Sequence, residues 1–257
     1  MSGNRRTTLK RAIANLYFPL VTVGFIAAVY ATAAAIVGES LILPRLGEIL
    51  AEAGKLLTKS SFYKSLLFTL LRALAAFAAA FVAGGALGIA ANASGAVEKL
   101  LSPLMVLLRA IPTMAVIFLL VLWFRSAYAP MIVAFTILLP LCYAETKTAL
   151  SSLDGGIFEM CKVYAVPKRR VLARFVLPQI APPLIDGAAG NLSFSVKLVI
   201  AGEALAQTAA GLGGALNMAN VYLETARLMA ITLIAVVVCF VLEFSIRLLL
   251  LPSRRWR

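Results

Sequence analysis

Between Arg72 and Glu98 the chain runs for 25 residues without a charged side chain. A helix of about 20 apolar residues crosses the hydrocarbon of a bilayer, whereas a soluble helix needs a polar face. The small residues in this stretch (Ala75, Ala76, Ala78, Ala79, Ala80, Ala83, Gly84, Gly85) suit close helix packing in lipid. The rest of the 257 residues agrees, being 62% hydrophobic and only 14% charged, with a mean hydropathy of +0.96. Soluble domains carry about a quarter charged residues, so a soluble fold would lack the polar surface to cover itself.

Apolar runs place six spans at about 16–38, 66–91, 103–124, 127–145, 187–205 and 226–251. They form one transmembrane domain over 1–257, all-α in class. Ala31-Thr32-Ala33 has the look of a leader-cleavage site, but the run is long for a leader, and a retained first helix is expected. Pro103 and Pro112 interrupt the third span. A mixed-charge stretch from Glu39 to Lys64 reads as a loop, opening with Leu43-Pro44, and a short amphipathic helix. The Gly/Ala-rich connection from Gln207 to Asn220 reads as flexible.

A net charge of +13 in a soluble protein would point to nucleic acid. Here the basic residues sit between apolar runs and at the termini, so no nucleic-acid partner is expected. With both termini cytoplasmic, 14 of the 24 basic residues fall on the inner side: Arg5, Arg6, Lys10, Arg11, Lys99, Lys147, Lys162, Lys168, Arg169, Arg170, Arg174, Arg254, Arg255 and Arg257. That asymmetry follows the positive-inside rule. Cys142, Cys161 and Cys239 share no ligand spacing and histidine is absent, so no metal site is expected and the cysteines read as buried small hydrophobes. No G-x-x-x-x-G-K-[ST] loop exists, so this chain is expected to hydrolyse no ATP and to bind no cofactor itself.

The long polar insert, about 151–183, is the most informative segment. Glu159-Met160-Cys161-Lys162-Val163-Tyr164-Ala165-Val166-Pro167 leads into Lys168-Arg169-Arg170 and closes at Leu177-Pro178. Apolar residues interleave with charge, as in a helix that docks on a partner, and Pro167 breaks the helix by restricting Val166. This segment resembles the cytoplasmic "EAA" loop of ABC importer permeases. Glu159 stands at the loop glutamate and Leu177-Pro178 at the closing L-P, while Met160 and Cys161 replace alanines and Ala165 replaces the turn glycine. Leu43-Pro44, Leu70-Leu71-Arg72, Leu107 to Thr113, Glu203 before Ala210-Gly211-Leu212-Gly213, Glu243 with Arg247, and Arg255-Trp256-Arg257 resemble further family motifs. They point to the nitrate/taurine/sulfonate-type branch.

The resemblance implies a five-helix type I importer core, with one extra helix, in a bacterial cytoplasmic (inner) membrane. It implies a separate ABC ATPase subunit that carries ATP and Mg, an external or periplasmic solute-binding protein, and a second permease copy forming a homodimer in membrane lipid. Glu159, Lys162, Ala165, Val166, Pro167, Arg169 and Pro178 are the residues it implies in coupling to the ATPase. The cargo expected is a small anion such as nitrate, taurine or an alkanesulfonate; a neutral or cationic nutrient such as a vitamin precursor, a secondary transporter and a membrane scaffold are the alternatives.

Charged residues inside spans are costly and tend to face an interior or a cavity. Lys197 and Glu203 on span five, with Asn191 and Ser195 at i, i+4, are therefore candidates for a translocation pathway facing the dimer axis. A structural polar pair near the outer interface, with Lys197 snorkelling, is the alternative. Arg109 beside Pro112 is either a pathway or a packing residue. Arg72 and the Glu243/Arg247 pair read as structural.

Overall fold

In a computed structural model the backbone of residues 3–249 is described, with side chains for residues 18 and 21–248; every regular element among them is helical. The basic N-terminal residues and the Arg254–Arg257 tail lie outside the described side chains. Two compact units emerge, one from residues up to 58 with 219–230, the other from 59–218 with residue 231 onward.

The first unit holds α1 (Gly3–Val37) and α2 (Leu46–Leu57). α2 is the expected amphipathic helix, with Ile49, Ala53 and Leu56 buried on one face. Glu48 in its first turn accepts the Arg45 backbone N–H (3.3 Å) and the Ser40 hydroxyl (3.1 Å), which satisfies one of the donors a helix start leaves open. The Tyr30 hydroxyl donates to the Pro44 carbonyl (2.8 Å) and the Thr225 hydroxyl to the Leu41 carbonyl.

The second unit is built on α3 (Ser60–Ala93), α6 (Ala129–Ser151) and α9 (Leu177–Leu205), which pack on one another, with α4 (Gly95–Ala110) and α5 (Thr113–Trp123) against them. Lipid tails are as apolar as leucine, so helices associate by close packing and interhelical hydrogen bonds rather than by burial from water. Ala73, Ala76 and Ala80 of α3 accordingly sit in one core with Ala134, Leu138 and Cys142 of α6 and Val196 and Val199 of α9. Where α3 meets α6 even a methyl group is too large. A Cβ on Gly84 would stand 2.7 Å from the Leu139 carbonyl oxygen, and one on Gly88 2.9 Å from that of Tyr143.

Among the described residues, four helices are long and apolar enough to cross a membrane: α3, α6, the run Lys168–Leu205, and the last helix, α11 (Thr225–Leu249). α4 and α5 form a fifth only as a pair, and they meet at a 92° bend. The break itself has a local cause: proline disfavours helical backbone in the residue before it, and Ile111 is extended at φ −68°, ψ 127°. Val21–Val37 is the shorter apolar stretch of α1 among the described side chains.

Two sequence expectations change. The connection after α9 is not a flexible linker, because α10 (Leu212–Val221) forms there and Leu212 and Ala219 are fully buried. Cys142 and Cys239 are buried as expected, whereas Cys161 is only half-buried.

Candidate functional site

The long polar insert folds as a short helix held against a longer one. α7 (Gly155–Val163) begins at Asp154, whose carboxylate accepts the Gly156 N–H (2.8 Å) in an ordinary N-cap. It ends in a Schellman motif: the Val166 N–H reaches the Cys161 carbonyl (2.9 Å) and the Ala165 N–H that of Lys162 (3.1 Å). The motif needs a left-handed residue at its centre, and Ala165 supplies it at φ 47°. Glycine adopts that conformation without a penalty, while alanine pays about 1 kcal/mol.

Val166-Pro167 then breaks the chain as the sequence implies. Pro167 precedes α8 (Lys168–Val171), and a π-turn over Leu172–Val176 leads straight into α9. Pro178 explains the π-turn. Its ring would collide with the carbonyl four residues back and it has no N–H to give that carbonyl. Widening the helix relieves the collision, and the Leu177 N–H bonds to the Leu172 carbonyl instead. Helical backbone therefore runs from Lys168 to Leu205, starting well before the apolar span at 187.

α7 has a firm mount. Phe158 meets Phe175 edge-on, with centroids 5.3 Å apart, over a small core of Ala149, Val176 and Ile180. That contact leaves the opposite side of α7 open. Met160, Val163 and Tyr164 are 54%, 81% and 75% exposed. Glu159, Lys162, Ala165, Pro167, Arg169 and Pro178 are also exposed, and Val166 is half-buried. An apolar cap ringed by charge thus projects from the bundle.

The five residues expected along a pathway are not brought together. Asn191 is buried and donates to the Glu145 carboxylate (2.8 Å). Ser195 is fully buried and donates to the Ala73 carbonyl (2.8 Å). Glu203 is wholly enclosed, at 0% exposure. Its carboxylate receives Arg72 (2.6 Å), the Thr69 hydroxyl (2.8 Å) and the Gly213 N–H (3.0 Å). These three side chains serve helix packing in this structure. Lys197, on another side of α9, is exposed; it makes no pair with Glu203, whose cation is Arg72. Arg109 is exposed and donates to the Pro140 carbonyl (2.7 Å).

The Glu203 cluster was hidden from sequence reasoning. Arg72 bonds to the Ala210 carbonyl (2.6 Å) as well as to Glu203, and the Thr69 hydroxyl receives the Leu212 N–H (2.8 Å). One buried carboxylate thereby fastens α3, the end of α9 and the turn before α10. The glycines of that turn make room for it: a Cβ on Gly211 or Gly213 would collide with Glu203. Gly211 also has φ 143°, open to glycine alone among common residues. Glu145 was missed for the same reason: its partner Asn191 is 46 residues away. Arg247 and Glu243 do pair at i, i+4 (2.6 Å), on the surface.

Membrane-length helices tied together by buried interhelical hydrogen bonds, with a short exposed helix at one end, define a multi-pass membrane protein. Comparison with known proteins narrows the class. The sequence profile of the binding-protein-dependent transport system inner membrane component family matches residues 80–251, and the chain belongs to that family. It is 24% identical over 221 residues to SsuC of Bacillus subtilis (strain 168), named as an aliphatic sulfonates transport permease, covering 85% of this chain and 79% of that one. It is 26% identical over 191 residues to the taurine transport system permease protein TauC of Escherichia coli (strain K12), covering 74% and 69%. The fold resembles a chain of the MetNI methionine ABC transporter in inward-facing crystal forms. TM-scores are 0.63 and 0.64 at 17% and 16% identity, over 75% and 74% of this chain and 96% and 95% of that one. The protein is thus a transport permease of the ABC importer type, and its fold is that of the type I permeases.

Proposed function

We propose that this chain is the membrane pathway of an ATP-driven importer for a small anion of the alkanesulfonate, taurine or nitrate kind. ATP and Mg are held by a separate ATPase subunit, cargo arrives on an external binding protein, and a second copy of the chain completes the pathway in the lipid. Both termini lie in the cytoplasm. The relatives named for sulfonate and taurine transport support the cargo class.

The observation that carries the coupling role is the exposed cap of α7. Met160, Val163 and Tyr164 leave apolar surface in water beside Glu159, Lys162 and Arg169, and such a surface is stable when a partner covers it. Because α7 is wedged on Phe175 at the base of α9, a push on α7 is passed to α9 as a rigid body. Closure of the ATPase pair then favours an outward-facing arrangement, and hydrolysis returns the pathway to the inside. Val166, Pro167 and Pro178 fix the angle between α7 and α9, and Ala165 makes the turn. Lys197 and Arg109, the exposed cations, are the pathway residues of this reading. Asn191, Ser195 and Glu203 anchor the helices that carry them.

The test is charge reversal at Glu159, which lies outside the spans. Glu159→Arg inserts normally, but reverses charge on a docking surface and penalises the bound state. In purified complexes, stimulation of ATPase activity by loaded binding protein falls at least tenfold, in step with uptake, a loss of about 1.4 kcal/mol in coupling. Full stimulation and uptake in Glu159→Arg, and in a variant lacking residues 162–170, removes the coupling role from this segment.

A further inference from the structure

Beside the core of the second unit lies an open cavity of about 330 Å³ between α4 and the C-terminal half of α6. Its polar lining is Ser102 and Arg109 from α4 and Tyr143, Lys147, Thr148 and Ser151 from α6. The volume is at the lower end of small-ligand sites, roughly 300–1,000 Å³. Two cations and four hydroxyl-bearing side chains line it, and no carboxylate does. The donors there exceed what the protein uses. Arg109 spends one N–H on the Pro140 carbonyl, and a guanidinium has five. Lys147 spends one on Glu98 (2.6 Å), and an ammonium has three. The Tyr143 side chain is 4% exposed, and its buried hydroxyl has no hydrogen-bond partner. A buried unsatisfied hydroxyl is costly unless something occupies it.

We propose that this cavity is an oxyanion site, in which Arg109 and Lys147 supply charge and Tyr143 and the neighbouring hydroxyls supply hydrogen bonds to a sulfonate- or phosphate-type group. The donor set suits such a group, which has several acceptor oxygens and nothing to donate. Glu98 is the built-in competitor. It lies outside the cavity lining, at 45% exposure, and holds Lys147 in the absence of an anion. An arriving oxyanion takes over the ammonium, so occupancy loosens the link between the start of α4 and the end of α6. This assignment deepens the small-anion reading and rests on it only for the identity of the cargo. The same chemistry serves the sulfonate of a free solute and the phosphate of a lipid headgroup.

The full chain is purified in a neutral detergent, and its thermal stability is followed against sodium ethanesulfonate at ionic strength held constant with sodium chloride. Saturable stabilisation beyond chloride is expected. Lys147→Gln raises the half-saturating concentration about tenfold, as loss of a charge-assisted hydrogen bond predicts. Tyr143→Phe raises it about threefold through loss of a neutral one. Glu98→Gln lowers it, since the competing carboxylate is gone. Arg109→Gln is the parallel variant, and should it fail to fold the other three carry the test. In nanodiscs of phosphatidylglycerol, an unchanged half-saturation assigns the site to the free anion. A rise over phosphatidylcholine that vanishes in Lys147→Gln assigns it to the headgroup phosphate.

No stabilisation beyond chloride, or a shift of Glu98→Gln in the same direction as Lys147→Gln, overturns the site and leaves a merely structural ion pair. Binding by the isolated chain needs no ATPase. Uptake failing with binding intact therefore counts against the importer reading alone, and binding failing with uptake intact against the cavity alone.

Discussion

Replacing Glu203 by glutamine keeps the shape of a fully buried side chain and removes its charge. Arg72, only 17% exposed, then loses its carboxylate, Thr69 its charged acceptor, and the Gly213 N–H a strong acceptor for a weak one. Removing one partner of a buried pair costs about 3–5 kcal/mol, since the other charge is left uncompensated. Arg72 keeps the Ala210 carbonyl and some solvent, so the loss belongs at the lower end, about 3 kcal/mol. For a chain of this size that is roughly a 6–12 °C fall in Tm. The assay is thermal unfolding of the purified protein in detergent, with Glu243→Gln as the control. That residue pairs with Arg247 on the surface, where an i, i+4 pair contributes about 0.3–0.5 kcal/mol, so its Tm should move by roughly 2 °C or less. Adding Arg72→Gln to Glu203→Gln should cost much less than the two single losses combined, because both remove one interaction. A Glu203→Gln protein that melts with the wild type, yet transports nothing, refutes this reasoning and returns Glu203 to the pathway.

Three further outcomes follow from the same geometry. Ala165→Gly relieves the left-handed alanine at the end of α7 and should raise stability by about 1 kcal/mol in the same melting assay; a fall in Tm would mean that the turn is not under strain. Lys197→Ala, at an exposed position of α9, should leave Tm unchanged and reduce uptake severalfold, whereas normal uptake removes Lys197 from the pathway. A cysteine at Tyr222, 67% exposed in the turn between α10 and α11, introduced after the native cysteines are replaced, should react with an impermeant maleimide added outside intact cells. Labelling only after lysis reverses the topology.

Much of the helix plan was legible because lipid imposes a simple rule: long stretches without charge become spans. The charge-free run after Arg72 lies on α3, the run ending near Glu145 lies on α6, and the described part of the last run lies on α11. Proline was equally informative about position. Pro112 and Pro167 stand where the chain breaks, although the 92° angle at Ile111-Pro112 depends on what α4 and α5 pack against. What local reading missed are polar contacts made across the sequence. Glu203 finds Arg72 131 residues away, and nothing near either residue announces the other. The glycines from 211 to 214 were the available signal. Read as flexibility, they mark close approach, because a buried carboxylate and the backbone around Thr208 fill the space where side chains would stand. The placement of Asn191 and Ser195 shows the limit of helical spacing. An i, i+4 pair shares a face, but spacing alone leaves open whether that face meets a pathway or, as here, α3 and α6.

The importer reading meets its most direct test in ATP-driven accumulation. The chain is co-purified with its ATPase, reconstituted in proteoliposomes, and given loaded binding protein on one face and ATP on the other. The account predicts that labelled taurine or ethanesulfonate accumulates inside only when permease, ATPase, binding protein and hydrolysable ATP are all present. It also predicts that Glu159→Arg abolishes accumulation while the complex stays in the membrane. Accumulation that proceeds without ATP, driven by an ion gradient, would contradict it and make the protein a secondary transporter.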